Sequence, residues 1–444
     1  MKLSFSKSNF LIFFLLISFA LVSCKDETTT PDNNLEEKSL ETEKQQASKK
    51  DANTEKKENT KVRFAEENEA TSPNSPEGNT APIALDCDYF VKNPNTILKD
   101  NPEAPVDFTI DCFIRVDDKL RIEPGVVIAF SQGAGIYFKE KSSFNLEGTA
   151  EKPIVLTGKE ETKGYWRGIH SKSSHHNNAM RYVKLKYAGN DAKAGLEINR
   201  ENSNLTLEHC TFSENKNYGM VVNDDVGKDV NNISIKNCTF TKNDIPFKTH
   251  VSRLRMFDGS NNFSGNIKDY IYLDGGILRG DATWVKLDVP YFLQDNFKNN
   301  EGVLTVEPGT EIIMPAQSWM HLSKKASLVM VGTQENPIVI RGEHDVAGFW
   351  EGLTIDSGSP LNEIAHVNFK NAGSTTGNPN GVVRLERSKF LKIHDVVFTN
   401  CFEYGISLQS AAKSHLEYAN LELENTPKLF SDWKGEEIKE PENL

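Results

Sequence analysis

Short runs of alternating apolar and polar residues recur along most of the chain. Leu205 and Leu207 stand before Cys210 and Phe212, and Ile233 and Ile235 stand before Cys238 and Phe240 in the same spacing. A period of two marks a strand with one buried face. The second set follows the first by 28 residues, and a further step of 23 carries Phe240 to Phe263 and Asn243 to Asn266. Short strands repeated at such intervals predict a solenoid, each coil placing its residues about 4.8 Å above their equivalents in the coil before. Asn215, Asn243 and Asn266 recur at one corner. Asparagine tolerates left-handed backbone at such a corner and can pair its amide with the layers above and below.

A longer repeat contains the shorter one. Leu120 opens Leu-Arg-Ile-Glu-Pro-Gly, and Leu304, 184 residues later, opens Leu-Thr-Val-Glu-Pro-Gly. The same offset pairs Gly148 with Gly332, Pro153 with Pro337, Trp166 with Trp350 and Gly189 with Gly373. After a two-residue insertion Phe212 and Tyr218 match Phe398 and Tyr404. This predicts two tandem homologous copies, the first over residues 83–290 and the second over 291–427, with a C-terminal tail at 428–444. The restart at Leu304 is compatible with one rod or two. The apolar stretch from Tyr270 to Val289 reads as further coils and favours a continuous or end-to-end arrangement.

With these motifs in view, the sequence resembles the right-handed parallel β-helix proteins of the pectin-lyase-like superfamily. More narrowly, it looks like exported bacterial β-helix proteins whose coils open with Leu-x-Ile-x-Pro-Gly and continue through Gly-Thr-x-x-x-Pro-Ile to Gly-Tyr-Trp-x-Gly. Those residues stand here as Leu120 to Gly125, Gly148 to Ile154 and Gly164 to Gly168, and again as Leu304 to Gly309, Gly332 to Ile338 and Gly348 to Gly352. The resemblance covers about residues 105 to 425. It implies an all-β, right-handed parallel β-helix and leaves function open, because this architecture carries lyases, hydrolases, adhesins and spacers.

The N-terminus has a different pattern. Lys2 and Lys7 precede an apolar run from Phe10 to Val22, the layout of a signal peptide over residues 1–23. The run closes on Leu21-Val22-Ser23-Cys24, which resembles the lipobox of bacterial lipoproteins. That resemblance implies lipidation of Cys24, a membrane anchor, and display at the outer membrane or cell surface. Residues 24–82 are Glu, Lys, Thr, Asn and Ser with few aromatics, a composition too polar to offset the entropy of ordering. They read as a disordered stalk, with a random-coil reach on the order of 45 Å.

Length and charge narrow the field. The 444 residues exceed one compact core, as an elongated repeat array allows. A net charge of -12 argues against nucleic acid as a partner, which needs clustered Lys and Arg. Polysaccharide and protein partners stay open.

No lyase or hydrolase motif is found, so no catalytic residue is assigned. Trp166 and Trp350, flanked by Tyr165 and Phe349, are the candidate ligand-binding set, because exposed aromatics beside a long β-face stack sugar rings and anchor interfaces. The alternative is that each Trp packs over a coil edge, since duplicated residues are usually ones the scaffold needs. Asp224, Asp225 and Asp229 in one turn-rich loop could supply oxygens to Ca²⁺, the one cofactor considered; the same residues are also ordinary turn formers. His170, His175 and His176 form the one His cluster, and the second copy has Thr354, Ser359 and Pro360 in those places, so a polar loop is favoured. Glu197, Arg200 and Glu201, and Arg384, Glu386 and Arg387, are the nearest sets to an acid/base site and read as solvated strand faces. Cys87 and Cys112 are a candidate disulfide at the N-terminal end. Cys210 and Cys238 are expected as a buried thiol ladder, and Cys401 as a core residue.

The combined reading is a surface-displayed lipoprotein that binds extracellular glycan or protein on a rigid β-helix. A polysaccharide lyase or glycoside hydrolase with an unrecognised site on a β-face, and a passive structural spacer, are the alternatives.

Overall fold

In the computed structural model the described residues are 70–73, 80–190, 194–199, 202–223, 232–373, 381–387, 389–410, 415–439 and 441. Their regular structure is strand, apart from the short helix Tyr89–Lys92 and the 3₁₀ turn Val251–Met256. The strands stack in parallel. One turn of the chain lays Ser143–Glu147 on Lys119–Ile122, Ile154–Gly158 on Val127–Phe130, and Gly168–Ser171 on Gly135–Phe138, one strand for each of three sheets. Alternation explains why these segments are strands. In Ser143–Glu147 the side chains of Phe144 and Leu146 turn inward and are buried, while those of Ser143, Asn145 and Glu147 stay partly exposed.

Stacking in register turns each inward position into a ladder. Phe212, Phe240 and Phe263 stack ring on ring with centroids 4.8 Å and 5.1 Å apart. Cys210 and Cys238 are buried free thiols on neighbouring coils, and Cys401 is a third. At the corner before the third sheet, Asn215, Asn243 and Asn266 form a side-chain ladder: Asn215 Nδ2 donates to Asn243 Oδ1 at 3.0 Å, and Asn243 Nδ2 to Asn266 Oδ1 at 3.1 Å. The left-handed backbone falls one residue earlier than the sequence suggests, on Glu214 and Lys242 with φ of 57° and 56°. The asparagines are selected for their amides and not for αL tolerance.

A six-stranded sheet ends at Ile233–Lys236 and a seven-stranded sheet at Thr239–Thr241. Beyond them those two faces are carried across by single bridges, Ile235 to Phe257 and Thr239 to Asn262, and by the 3₁₀ turn Val251–Met256. The third sheet does not stop. Ile245–His250 pairs with Ile271–Asp274, which pairs with Tyr291–Leu293, then Glu311–Met314 and Ile338–Gly342. The solenoid is therefore continuous through the junction, and the boundary drawn at residue 290 falls inside an unbroken sheet.

The faces also change places there. Val127–Phe130 and Glu311–Met314 are paired by the 184-residue offset, yet the first lies in the seven-stranded sheet and the second in the continuing third sheet. At the far end Lys428–Asp432, assigned to the tail from sequence, is a strand that pairs with Tyr404–Leu408. Near the start, Cys87 and Cys112 are joined as a disulfide with Cα atoms 5.8 Å apart.

Candidate functional site

Trp166 and Trp350 are not a binding platform. Both are 0% exposed. Trp166 stacks on Phe130 at 4.1 Å and donates its Nε1–H to Lys186 O at 2.6 Å; Trp350 donates to Lys370 O at 2.9 Å. A buried indole with its one donor satisfied is a core residue. Tyr165 and Phe349 are half-buried, and each ring lies over a glycine: a Cβ on Gly158 would meet Tyr165 Cδ1 at 2.9 Å, and one on Gly342 would meet Phe349 Cδ1 at 2.9 Å. The closing glycines of the same motif, Gly168 and Gly352, have φ of 102° and 117°, and a Cβ there would meet backbone carbonyls at 2.5 Å and 2.3 Å. The whole Gly-aromatic-Trp-x-Gly motif is spent on closing a coil.

Several other candidates are dispersed. Cys24, Asp224, Asp225, Asp229, Arg200 and Glu201 lie outside the described residues. Among the described residues no group of three or more His, Cys, Asp or Glu is placed to hold a metal ion. His175 and His176 stack on each other at 4.7 Å in a loop, while His170 points from a strand at Glu197, Nδ1 to Oε2 being 3.3 Å. Glu197 also accepts from Asn223 Nδ2 at 3.0 Å. This His–Glu pair has the geometry of a proton-transfer dyad, but the other ring nitrogen, His170 Nε2, is buried without a partner. Burial, with help from Arg167, lowers the His170 pKa against the opposing pull of Glu197. Arg387 is exposed. Glu386 is held above the usual carboxylate range by burial and by the Asp356 carboxylate beside it, and Arg384 is buried.

The continuous third sheet supplies a site that the sequence reading missed. Positions of one parity form a row in register, Arg115, Tyr137, His170, Glu197, Val221, Lys248, Tyr272, Phe292, Ile313, Arg341, of which Glu197, Val221 and Ile313 are buried. At about 4.8 Å per coil that row is roughly 43 Å long. Its middle is aromatic. Tyr270 stacks on Phe292 at 4.8 Å, Tyr272 on Phe292 at 5.8 Å, and Tyr218 lies 6.1 Å from Tyr272. All four rings are partly exposed. Lys248 lies over Tyr272 at 5.2 Å and pairs with Asp274 at 3.0 Å.

Burial, then the neighbouring tyrosines and Asp274, push Tyr218 up to about 12, and burial with Asp274 raises Tyr272. The phenols therefore stay neutral and can both donate and accept. Elsewhere two shallow depressions of ≈ 520 Å³ and ≈ 440 Å³ flank Arg255 and Phe257 where the six-stranded sheet breaks off. The Arg255 guanidinium there is committed to the carbonyls of Asp281 and Arg279.

Stacked parallel coils with asparagine and phenylalanine ladders define a parallel β-helix protein. A family model described as right handed beta helix region matches residues 111–267. No curated protein and no solved structure matches the chain.

Proposed function

We propose that this β-helix is a binding protein that lays an extended glycan along its continuous third sheet, gripped at the junction by Tyr218, Tyr270, Tyr272 and Phe292. The observation that carries the reading is those four partly exposed rings, gathered across four successive strands of one rigid face. Aromatic faces stack on the apolar faces of sugar rings, and the neutral phenols with Lys248 and Asp274 offer donors and acceptors to hydroxyls. A β-sheet frame loses little freedom on binding, so weak contacts repeated along a polymer accumulate. In the same proposal Cys24 is lipidated and residues 24–82 hold the β-helix away from a bacterial surface. The burial of His170 Nε2 favours binding over turnover on this face.

The test is retention of the full chain on a panel of polysaccharides in affinity electrophoresis, with product release recorded alongside. Tyr272→Ala and Phe292→Ala are each expected to weaken retention by about tenfold. Unchanged retention in the double variant would remove the site. Retention of no polymer would favour a protein ligand or a spacer, and shortened products would make the protein an enzyme.

A further inference from the structure

A second row runs through the later coils on different strands of each coil: Lys298, His321, Thr354, Arg384 and Ser407 stand in register on five neighbouring strands. Arg384 is the unusual member. Val383 and Leu385 on either side of it are core residues with no exposure, and alternation aims Arg384 outward, yet it is only 8% exposed. Its Nε is buried without a hydrogen-bond partner. The nearest carboxylate, Glu351 Oε2, is 3.8 Å from Nη1, an ion pair too long to be a hydrogen bond. A buried guanidinium whose donors are unsatisfied is costly, because desolvation of a charge is offset only when its hydrogen bonds are made.

We infer that Arg384 is the base of an oxyanion site for a carboxylate group, lined by Thr354 and His321. The planar fork of a guanidinium matches a carboxylate with two parallel hydrogen bonds, and the 3.8 Å contact to Glu351 leaves the Nη1 end of this fork without a hydrogen bond to that carboxylate. Thr354 on the preceding strand is partly exposed and carries a hydroxyl within the same row. Burial lowers the His321 pKa first, Lys298 and Arg384 add to it, and Asp356 pulls the other way. The charge of the ligand is limited from the other side. Asp356 and Glu386 lie close together near this row, with Lys389 3.0 Å from Asp356, and Glu351 borders Arg384. Three carboxylates would repel a dianion such as phosphate more than a single carboxylate. The site is on other strands than the aromatic face and does not depend on it.

Calorimetric titration of the full chain with sodium propionate, sodium glucuronate, the methyl ester of glucuronate and inorganic phosphate tests this. Binding of the carboxylates over the ester and phosphate is expected; both acids binding alike points to a free acid, and glucuronate alone to an acidic sugar residue. Arg384→Gln should weaken the acid by about tenfold or more. Glu351→Gln, which removes a competing carboxylate from a partly exposed position, should strengthen it, and this variant decides the matter if Arg384→Gln does not fold. The inference is overturned if neither acid binds, if the ester or phosphate binds as well as the acid, if Arg384→Gln folds and binds unchanged, or if Glu351→Gln fails to bind more tightly.

Discussion

Asn215 and Asn243 sit one coil apart, and Asn243 Oδ1 accepts from both the backbone N–H of Asn215 at 3.1 Å and its side-chain Nδ2 at 3.0 Å. Asn243 Nδ2 in turn donates to Phe212 O at 3.0 Å and to Asn266 Oδ1 at 3.1 Å. One fully buried amide thus satisfies backbone and side-chain groups on the coils above and below it. Asn243→Ala leaves several of them unpaired in a fully buried position, at about 1–3 kcal/mol each. The expected result is a lower denaturant midpoint and faster amide exchange confined to the neighbouring coils, since a solenoid opens by its nearest-neighbour interfaces. Unchanged exchange at Asn215 and Phe240 would show that the ladder is incidental.

Trp166 makes a second prediction. Trp166→Ala removes a fully buried ring stacked on Phe130 and leaves Lys186 O without its donor, so a loss of about 3–5 kcal/mol is expected. Trp166→Phe keeps much of the volume and loses the hydrogen bond, and should fall between. Neither change should alter polysaccharide retention by protein that remains folded. Loss of retention at full stability, measured by chemical denaturation of the same samples, would return the Trp to the binding set.

The Cys87–Cys112 disulfide closes a 25-residue separation at the first coils, where a solenoid has fewest neighbours. On chain-entropy grounds a loop of that size is worth about 3.5 kcal/mol. Reduction, or Cys87→Ser with Cys112→Ser, should loosen Ile83–Leu85 and Phe108–Ile110 while leaving the junction coils protected. Mass-resolved hydrogen exchange with and without reductant checks this; uniform loss of protection along the whole chain would show the coils to be one cooperative unit instead.

The fold was legible where chemistry repeats at each coil. Phe212, Phe240 and Phe263, and the three asparagines, stand at intervals that only stacking explains, and they do stack. Trp166 and Trp350 were ambiguous for the opposite reason: retention at both places reports a need without saying whether ligand or scaffold imposes it, and burial decides. The aromatic face was hidden because Tyr218, Tyr270, Tyr272 and Phe292 become neighbours only once the coils across the junction are in register. That register follows from a change of faces around Val251–Met256 which no periodicity marks. Arg384 was visible as a charge, but the shortage of partners around it belongs to the folded strand alone.

The histidines set the direction of the acid response. His170, His321 and His175 all have lowered pKa values, with burial as the first cause in each case. In the unfolded chain they would titrate near the ordinary value of about 6.5. Below that value the unfolded state takes up protons that the folded state resists, so folding stability declines as pH falls from about 6.5 toward the lower folded-state values. Asp111, held down by Lys159 and Ser131, and Glu363, held down by Lys392, add a second loss at lower pH as their own carboxylates protonate. Asp107 has the opposite sign, since burial raises it and its protonation relieves an unfavourable charge. Among these groups His170 should govern the first stage, because its ring packs between Phe113 and Glu197 and its Nε2 is buried without a partner. His170→Gln is therefore expected to flatten the fall in melting temperature between about pH 7.5 and about pH 5.5, while leaving the steeper loss below about pH 4 in place. Parallel melting curves for the two proteins across that range would show instead that the His170 pair is too well compensated by Glu197 to influence stability.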